Sequence, residues 1–366
     1  MQFLALTLAL AASTPVTPSQ RVLASRVHPR VEVTFVLDTT GSMGGLIDGA
    51  KRRIWSIARR IGQGQPRPDL RIGLVAYRDR GDEYVTRVFD LTSDMDQVYQ
   101  SLMTLQAAGG GDGPEHVSAA LHDAVHRISW SKGRALRVIF LVGDAPPHVD
   151  YQDGYDYRRH VGEARQLGIG VEAIECGADP DAERFWREIA ALGEGHFARI
   201  DSTGGMPSRV TPVDAELARL NGELARTVVA GGRAEERAKE ESRIASRAAM
   251  PAAMAAEAAP YFAASDRLAE KDLVDMPVAE QKKEVERLRQ SQAEAPAALR
   301  GRDEADALAF LAGQKERRTA LQARILDLQK QRDAYLAGTA DGKADGFDAH
   351  VVGSLKARAE AAGIRY

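Results

Sequence analysis

The stretch 31–43, VEVTFVLDTTGSM, constrains this chain most. A short apolar run rich in β-branched residues ends in Asp38, Thr40 and Ser42, beside Gly41. Such a run reads as a buried strand. Immediately after it, Leu46, Ile47, Ala50, Ile54, Ile57, Ala58 and Ile61 recur at helical spacing. The three oxygen-bearing side chains therefore sit in a tight strand-to-helix turn. In an open α/β sheet that is where ligands bind, and oxygens of this kind hold hard cations such as Mg²⁺.

The pattern repeats downstream. Residues 70–77 read as a strand beside the first, and 84–91 alternate as an exposed edge strand does. Asp94 suits the cap of a helix carrying Met95, Val98, Leu102 and Leu105. A glycine-rich loop, GGGDGPE at 109–115, leads into a helix over about 115–128. Residues 136–142 form another apolar run, which ends at Gly143-Asp144 and so puts a second aspartate at the carboxyl end of a second strand. Pro146 and Pro147 then turn the chain out of the sheet. A helix over 158–167, a strand over 169–174, a helix opened by Asp179-Pro180 and a short strand over 195–200 complete the series. Strands alternating with helices predict a doubly wound, mostly parallel sheet with one antiparallel edge strand.

Asp38, Thr40 and Ser42, then the glycine loop, then Asp144 resemble the von Willebrand factor type A (VWA) domain with its metal-ion-dependent adhesion site. The resemblance covers about 31–200. It implies a Rossmann-like fold and a Mg²⁺ or Mn²⁺ ion held by Asp38, Thr40, Ser42, Asp112 and Asp144. Thr40 and Ser42 would ligate directly, and the aspartates mostly through water. It implies binding rather than catalysis, with an Asp or Glu of a protein partner completing the metal shell. Where the family often has a Thr in the second loop, this chain has none, and Asp112 is the nearest oxygen. Asp112 either contacts the metal or hydrogen-bonds the first loop while Glu115 caps its helix.

Other readings compete. The segment DTTGS could be an ordinary helix N-cap. The same cation could serve a metal-assisted hydrolase, with Glu115 or His148 as acid-base group. The sequence offers no serine triad, because Ser42 has no base that can be placed beside it. Residues 109–113 lack the G-K-[S/T] of a P-loop. His122 and His126 are one helical turn apart and could in principle hold a metal, but no H-E-x-x-H pattern surrounds them. His116 and His148 read as surface or loop-fixing residues, and Asp79, Asp82 and Glu83 as a solvated acidic turn.

The chain has 366 residues, 44% hydrophobic and 28% charged, enough for a sizeable core in two parts. A net charge of −3 gives no overall basic bias toward nucleic acid. The single cysteine, Cys176, reads as a small buried hydrophobe. Residues 1–20 read as an export signal and lead-in: 3–12 are apolar and Ala9-Leu10-Ala11 offers small residues for cleavage, although no Lys or Arg precedes the run. That run is too short to span a membrane, so the expected location is periplasmic or extracellular, of bacterial type. The division expected is a VWA domain over 30–201, a linker over 202–212 and a helical region over 213–366. In the last, Pro251, Pro260, Pro277 and Pro296 are expected to separate segments. Leu308, Leu311, Leu321, Ile325, Leu328 and Tyr335 fall near heptad spacing, with Gln314, Arg318 and Arg332 interrupting the seam. That suits a short antiparallel hairpin better than a long coiled coil. These helices are expected to act as a spacer, docking arm or self-association element.

Overall fold

A computed structural model describes residues 29–366 apart from 112, 203–209, 292–294 and 339–346. The export-signal expectation, Asp112 and most of the expected linker lie outside the described residues.

Six strands form one sheet in the order β3-β2-β1-β4-β5-β6. They are β1 (Arg30–Asp38), β2 (Asp69–Tyr77), β3 (Thr86–Thr92), β4 (Ala135–Gly143), β5 (Ile169–Cys176) and β6 (Phe197–Ile200). All pairs are parallel except β2 with the edge strand β3. The doubly wound sheet read from the alternation is therefore the one found. Strand order reverses between β1 and β4, so Asp38 and Asp144 flank the switch point where open α/β sheets take ligands.

Among the described residues this half holds the helices α1 (Gly44–Gly62), α2 (Met95–Thr104), α3 (Val117–His126), α4 (Tyr157–Gln166) and α5 (Pro180–Leu192), with α2 and α3 both between β3 and β4. Their starts obey local chemistry. The Asp94 carboxylate accepts from the backbone N–H groups of Asp96 and Gln97 at the start of α2. Asp179 does the same for α5, with Pro180 in the first turn. Helices α3, α4 and α5 cover one face of the sheet, packing Val117, Leu121, Tyr157, Val161 and Trp186 against Val36, Ile139 and Val171.

Beyond residue 213 come α6 (Asp214–Ala225), α7 (Ala234–Ala248), α8 (Ala252–Ala263), α9 (Val278–Gln290), α10 (Glu304–Gly338) and α11 (Phe347–Ala361); α6, α8, α10 and α11 close the other face together with α1 and α2, whereas α9 packs on the first turns of α10 in a separate apolar cluster. These helices do not stand apart from the sheet. Phe347 of α11 packs on Phe35 with ring centroids 5.8 Å apart, and Phe35 stacks on Phe140 at 5.5 Å. Trp55 of α1 sits among Tyr99, Tyr261 and Phe262. Buried Arg247 of α7 forks onto both oxygens of buried Asp96, at 3.0 and 2.9 Å from Nε. Arg358 of α11 reaches buried Glu172 of β5 at 2.6 Å. One apolar cluster thus runs from β1 through α1 into α6, α8, α10 and α11.

Two expectations for this region change in detail. Pro260 does not separate segments; it lies inside α8. The helix ends one turn later, so the missing N–H removes one bond near the terminus rather than mid-helix. The seam-interrupting arginines are buried cations. Arg318 pairs with Asp272 and Asp275, and Arg332 with Asp214 and Glu257. α10 meets α9 over its first turns and α6 and α8 further along, so it is a strut through a helical layer. Among the described residues no helix is long and apolar enough to cross a membrane.

Candidate functional site

Three loops meet at the carboxyl edge of β1 and β4. In the first, Asp38 is fully buried and its Oδ1 accepts the Thr40 N–H at 2.8 Å and the Thr40 hydroxyl at 2.6 Å. Thr40 Oγ1 lies 3.4 Å from Ser42 Oγ, and Ser42 donates to Asp144 of the third loop. Neither Thr40 nor Met43, the residues preceding the helical turns here, makes a side-chain capping bond. The hydroxyls therefore face the inter-loop space and do not serve as an N-cap. Asp38, Thr40, Ser42 and Asp144 come together as the sequence reading grouped them.

Glycines make the close approach of the loops possible. A Cβ on Gly143 would lie 2.4 Å from the Tyr77 hydroxyl and 3.1 Å from Asp38 Oδ2. Gly109 and Gly110 both have positive φ, at +78° and +81°. The loop they form is tied to the first by Gly41 N–H to Gly109 O at 3.2 Å and Ala108 N–H to Thr39 O at 3.1 Å. Arg78, buried, reinforces the tie by donating to Thr39 O at 3.1 Å and Gln106 O at 2.8 Å.

Glu115 departs from the capping role that one branch of the sequence reading gave it. It does not cap α3; His116 does, accepting the Ala119 N–H on Nδ1 at 3.3 Å. Glu115 is pinned instead in a short bridge to the third loop, donating its N–H to Pro146 O at 2.9 Å and accepting from His148 N–H at 3.0 Å. Its buried carboxylate and Thr40 both border Gly110: a Cβ there would stand 3.2 Å from Glu115 Oε1 and 3.2 Å from Thr40 Cβ. The acidic turn is not merely solvated either. Asp79 is buried and accepts the Tyr151 hydroxyl at 2.7 Å, while Asp82 Oδ2 accepts the Gly110 N–H at 3.1 Å. His116 and His148 do fix loops, through Asp153 at 2.9 Å and Asp150 at 2.8 Å.

The carboxylates of Asp38, Asp79, Asp82, Glu115 and Asp144 crowd together here, and the other four raise Glu115. Burial pushes Asp38 up to about 7, helped by the charge of Asp144 and opposed by the Thr40 hydrogen bonds and Arg78. Burial pushes Glu115 up to about 9, with Asp38, Asp79, Asp82 and Asp144 adding to it. Asp144 is raised by burial as well, against the Ser42 hydrogen bond. Asp38 Oδ2, Asp79 Oδ1 and Glu115 Oε2 are buried without a hydrogen-bond partner among the described residues. Buried carboxylate oxygens such as Asp38 Oδ2 and Glu115 Oε2 call for a proton or a cation. An all-oxygen set of carboxylates and hydroxyls fits a hard divalent ion.

The family model of the von Willebrand factor A domain matches residues 32–154, which contain all three loops. The chain carries a VWA domain. Over 124 residues it is 40% identical to von Willebrand factor A domain-containing protein 7 of Rattus norvegicus, a match covering 33% of this chain and 12% of that protein. It is 27% identical over 135 residues to the alpha-protein kinase vwkA of Dictyostelium discoideum, covering 34% of this chain and 20% of the kinase. The chain thus spans a small fraction of the curated relatives it matches. Among solved structures, an aerotolerance-related membrane protein of Bacteroides fragilis aligns over 48% of this chain and 94% of its own, at 19% identity and a TM-score of 0.34. VWA domains generally mediate protein–protein interaction.

Glu115 and Arg78 are the site residues that composition and spacing did not single out for these roles. Glu115 follows Pro114 at the head of a helical pattern, which reads as a helix start. The available signal was the count of acids in loops at one end of the sheet: Asp79, Asp82 and Glu115 join Asp38 and Asp144 there.

Proposed function

We propose that the rim is a divalent-cation-dependent protein-binding site, for Mg²⁺ or Mn²⁺, and that its partner presents an Asp or Glu carboxylate. The single observation carrying this reading is the set of buried, unpartnered carboxylate oxygens beside Thr40 and Ser42. Thr40, Ser42, Asp38 and Asp144 would hold the ion. Glu115, bordering Gly110 as Thr40 does, would supply an acidic group of the second loop. When bound, the cation supplies positive charge and a coordination position for an outside oxygen. The chain's own residues do the rest. Thr40 keeps Asp38 oriented, Arg78 fixes the spacing of the first two loops, and the Glu115 bridge fixes the third against the second.

The domain is proposed to bind and not to catalyse. The apolar stretch 3–12 supports export to a periplasmic or extracellular space. Capture of partners from an envelope fraction, with and without EDTA, tests the binding reading. Recovery of the same proteins under both conditions and with Asp38→Asn as bait would refute it. A second reading, metal-assisted hydrolysis, is favoured by one observation: in the metal-free chain burial and the neighbouring acids push the Glu115 carboxyl up to about 9, so that it holds a proton at neutral pH. It requires an EDTA-sensitive hydrolytic activity that disappears in Glu115→Gln or His148→Ala.

A further inference from the structure

A second cluster of ligating side chains lies on the outer layer, at the opposite end of α3 from the rim. α3 places His122 and His126 on one face, four residues apart, and α4 places His160 and Glu163 three apart. The two helices pack side by side, so the two faces meet. His126 Nε2 lies 2.8 Å from Glu163 Oε2, and His160 Nδ1 lies 3.0 Å from the same oxygen. One ligand atom from each of these three residues falls within 4.8 Å of the others. The other Glu163 oxygen is held by Arg159 at 2.9 Å, which aims Oε2 at the two imidazoles. His122 completes the group: its ring centroid is 4.8 Å from His126 and 5.0 Å from His160. Its Nδ1 is fixed by Asp123 at 3.0 Å. His160 is 2% exposed, yet its Nε2 has no hydrogen-bond partner among the described residues.

Three imidazoles and a carboxylate in mutual contact make an unusual surface for α3–α4 packing. Simple helix docking would be served by aliphatic residues at these positions. Imidazole nitrogens with one carboxylate oxygen are the donor set of borderline-soft divalent ions, unlike the all-oxygen rim. A carboxylate such as Asp123 holding one ring nitrogen of a histidine is also the arrangement that orients metal-binding imidazoles.

We propose that His126, His160 and Glu163 form a second cation site, for Zn²⁺ or a similar transition ion, with His122 beside it as the fourth available ligand. An ion there would tie α3 to α4 and leave the rim free to take its own cation. The site is independent of the rim reading.

The test titrates the EDTA-stripped full chain with ZnCl₂ and, separately, with CoCl₂, in the Asp38→Asn background, which disables the rim. The expected result is stoichiometric Zn²⁺ uptake in that background, with affinity weakened at least about tenfold in His126→Ala and in Glu163→Gln. Bound Co²⁺ is expected to show the visible absorption of a nitrogen-ligated ion, lost in the same variants. His126 and Glu163 are only partly buried, so these substitutions leave the core untouched. Zn²⁺ affinity unchanged by both variants, or Zn²⁺ uptake that vanishes in Asp38→Asn with the histidines intact, would overturn the proposal.

Discussion

Replacing Asp38 by Asn separates what the rim does for stability from what it does for binding. In the folded chain Asp38 is held at about 7, against an ordinary value of 3.8. Ionising it at pH 8 is therefore about 4 kcal/mol less favourable in the folded than in the unfolded state. Asn has the same shape and keeps an oxygen to accept from Thr40. Its amide replaces Oδ2, which has no partner, and a buried unpaired donor costs about 1–3 kcal/mol. The net expectation is that metal-free Asp38→Asn is more stable than wild type at pH 8 by about 1–3 kcal/mol, a Tm higher by a few degrees. The sign follows from a raised folded pKa: the wild-type advantage is complete below about pH 4 and is lost as pH rises through about 7. Wild type should be the more stable protein in acid, and the order should reverse between about pH 4 and pH 7, leaving the variant ahead at pH 8. Mg²⁺ should then raise the Tm of wild type and leave Asp38→Asn unmoved. Differential scanning calorimetry at about pH 5 and pH 8, with EDTA or with Mg²⁺, reads all four arms. A variant that melts well below wild type at pH 8 without metal, or that keeps the full Mg²⁺ shift, would show that Asp38 is not a strained carboxylate awaiting a cation.

The remaining predictions are more direct. Because protons and metal compete for Asp38 and Glu115, the Mg²⁺-induced rise in wild-type Tm should grow between about pH 5 and pH 8; a flat profile would place the ion elsewhere. Glu115→Gln should weaken Mg²⁺ binding about tenfold or more by calorimetry, whereas a helix cap would change stability and leave affinity alone. Phe347→Ala should lower stability by about 3–5 kcal/mol and shift a single unfolding transition monitored by both near-UV and far-UV circular dichroism; two separated transitions would mean that α11 and the sheet unfold independently. Arg247→Leu leaves Asp96 buried and unpaired and should cost about 3–5 kcal/mol, with Arg247→Leu/Asp96→Leu recovering much of it.

The sheet and the first and third loops were legible because their signals are local. β-branched runs, helical spacing and the polar break after each run fix Asp38 and Asp144 at the carboxyl ends of β1 and β4. Caps at Asp94 and Asp179 are equally local. What escaped depends on contacts far apart in the chain. The role of Glu115 is set by Pro146 and His148, some thirty residues away. The burial of Asp79 comes from Tyr151. Helical periodicity in residues 304–338 told of a helix but not of its neighbours, since the buried arginines that spoil its heptads are satisfied by acids on α6, α8 and the 272–275 turn. Pro260 likewise reads as a breaker until the end of α8 is known.

The sharing of Phe35 and Phe140 with Phe347 bears on how this module can be handled. Cutting the chain after β6 to obtain a compact binding unit would strip a lid from one flank of the sheet and leave a greasy strip in water, prone to sticking to other molecules. A soluble fragment would have to take α11 along or replace those aromatic residues with polar ones. An interaction screen run on an unprotected excised piece would therefore collect contacts that the intact chain never offers.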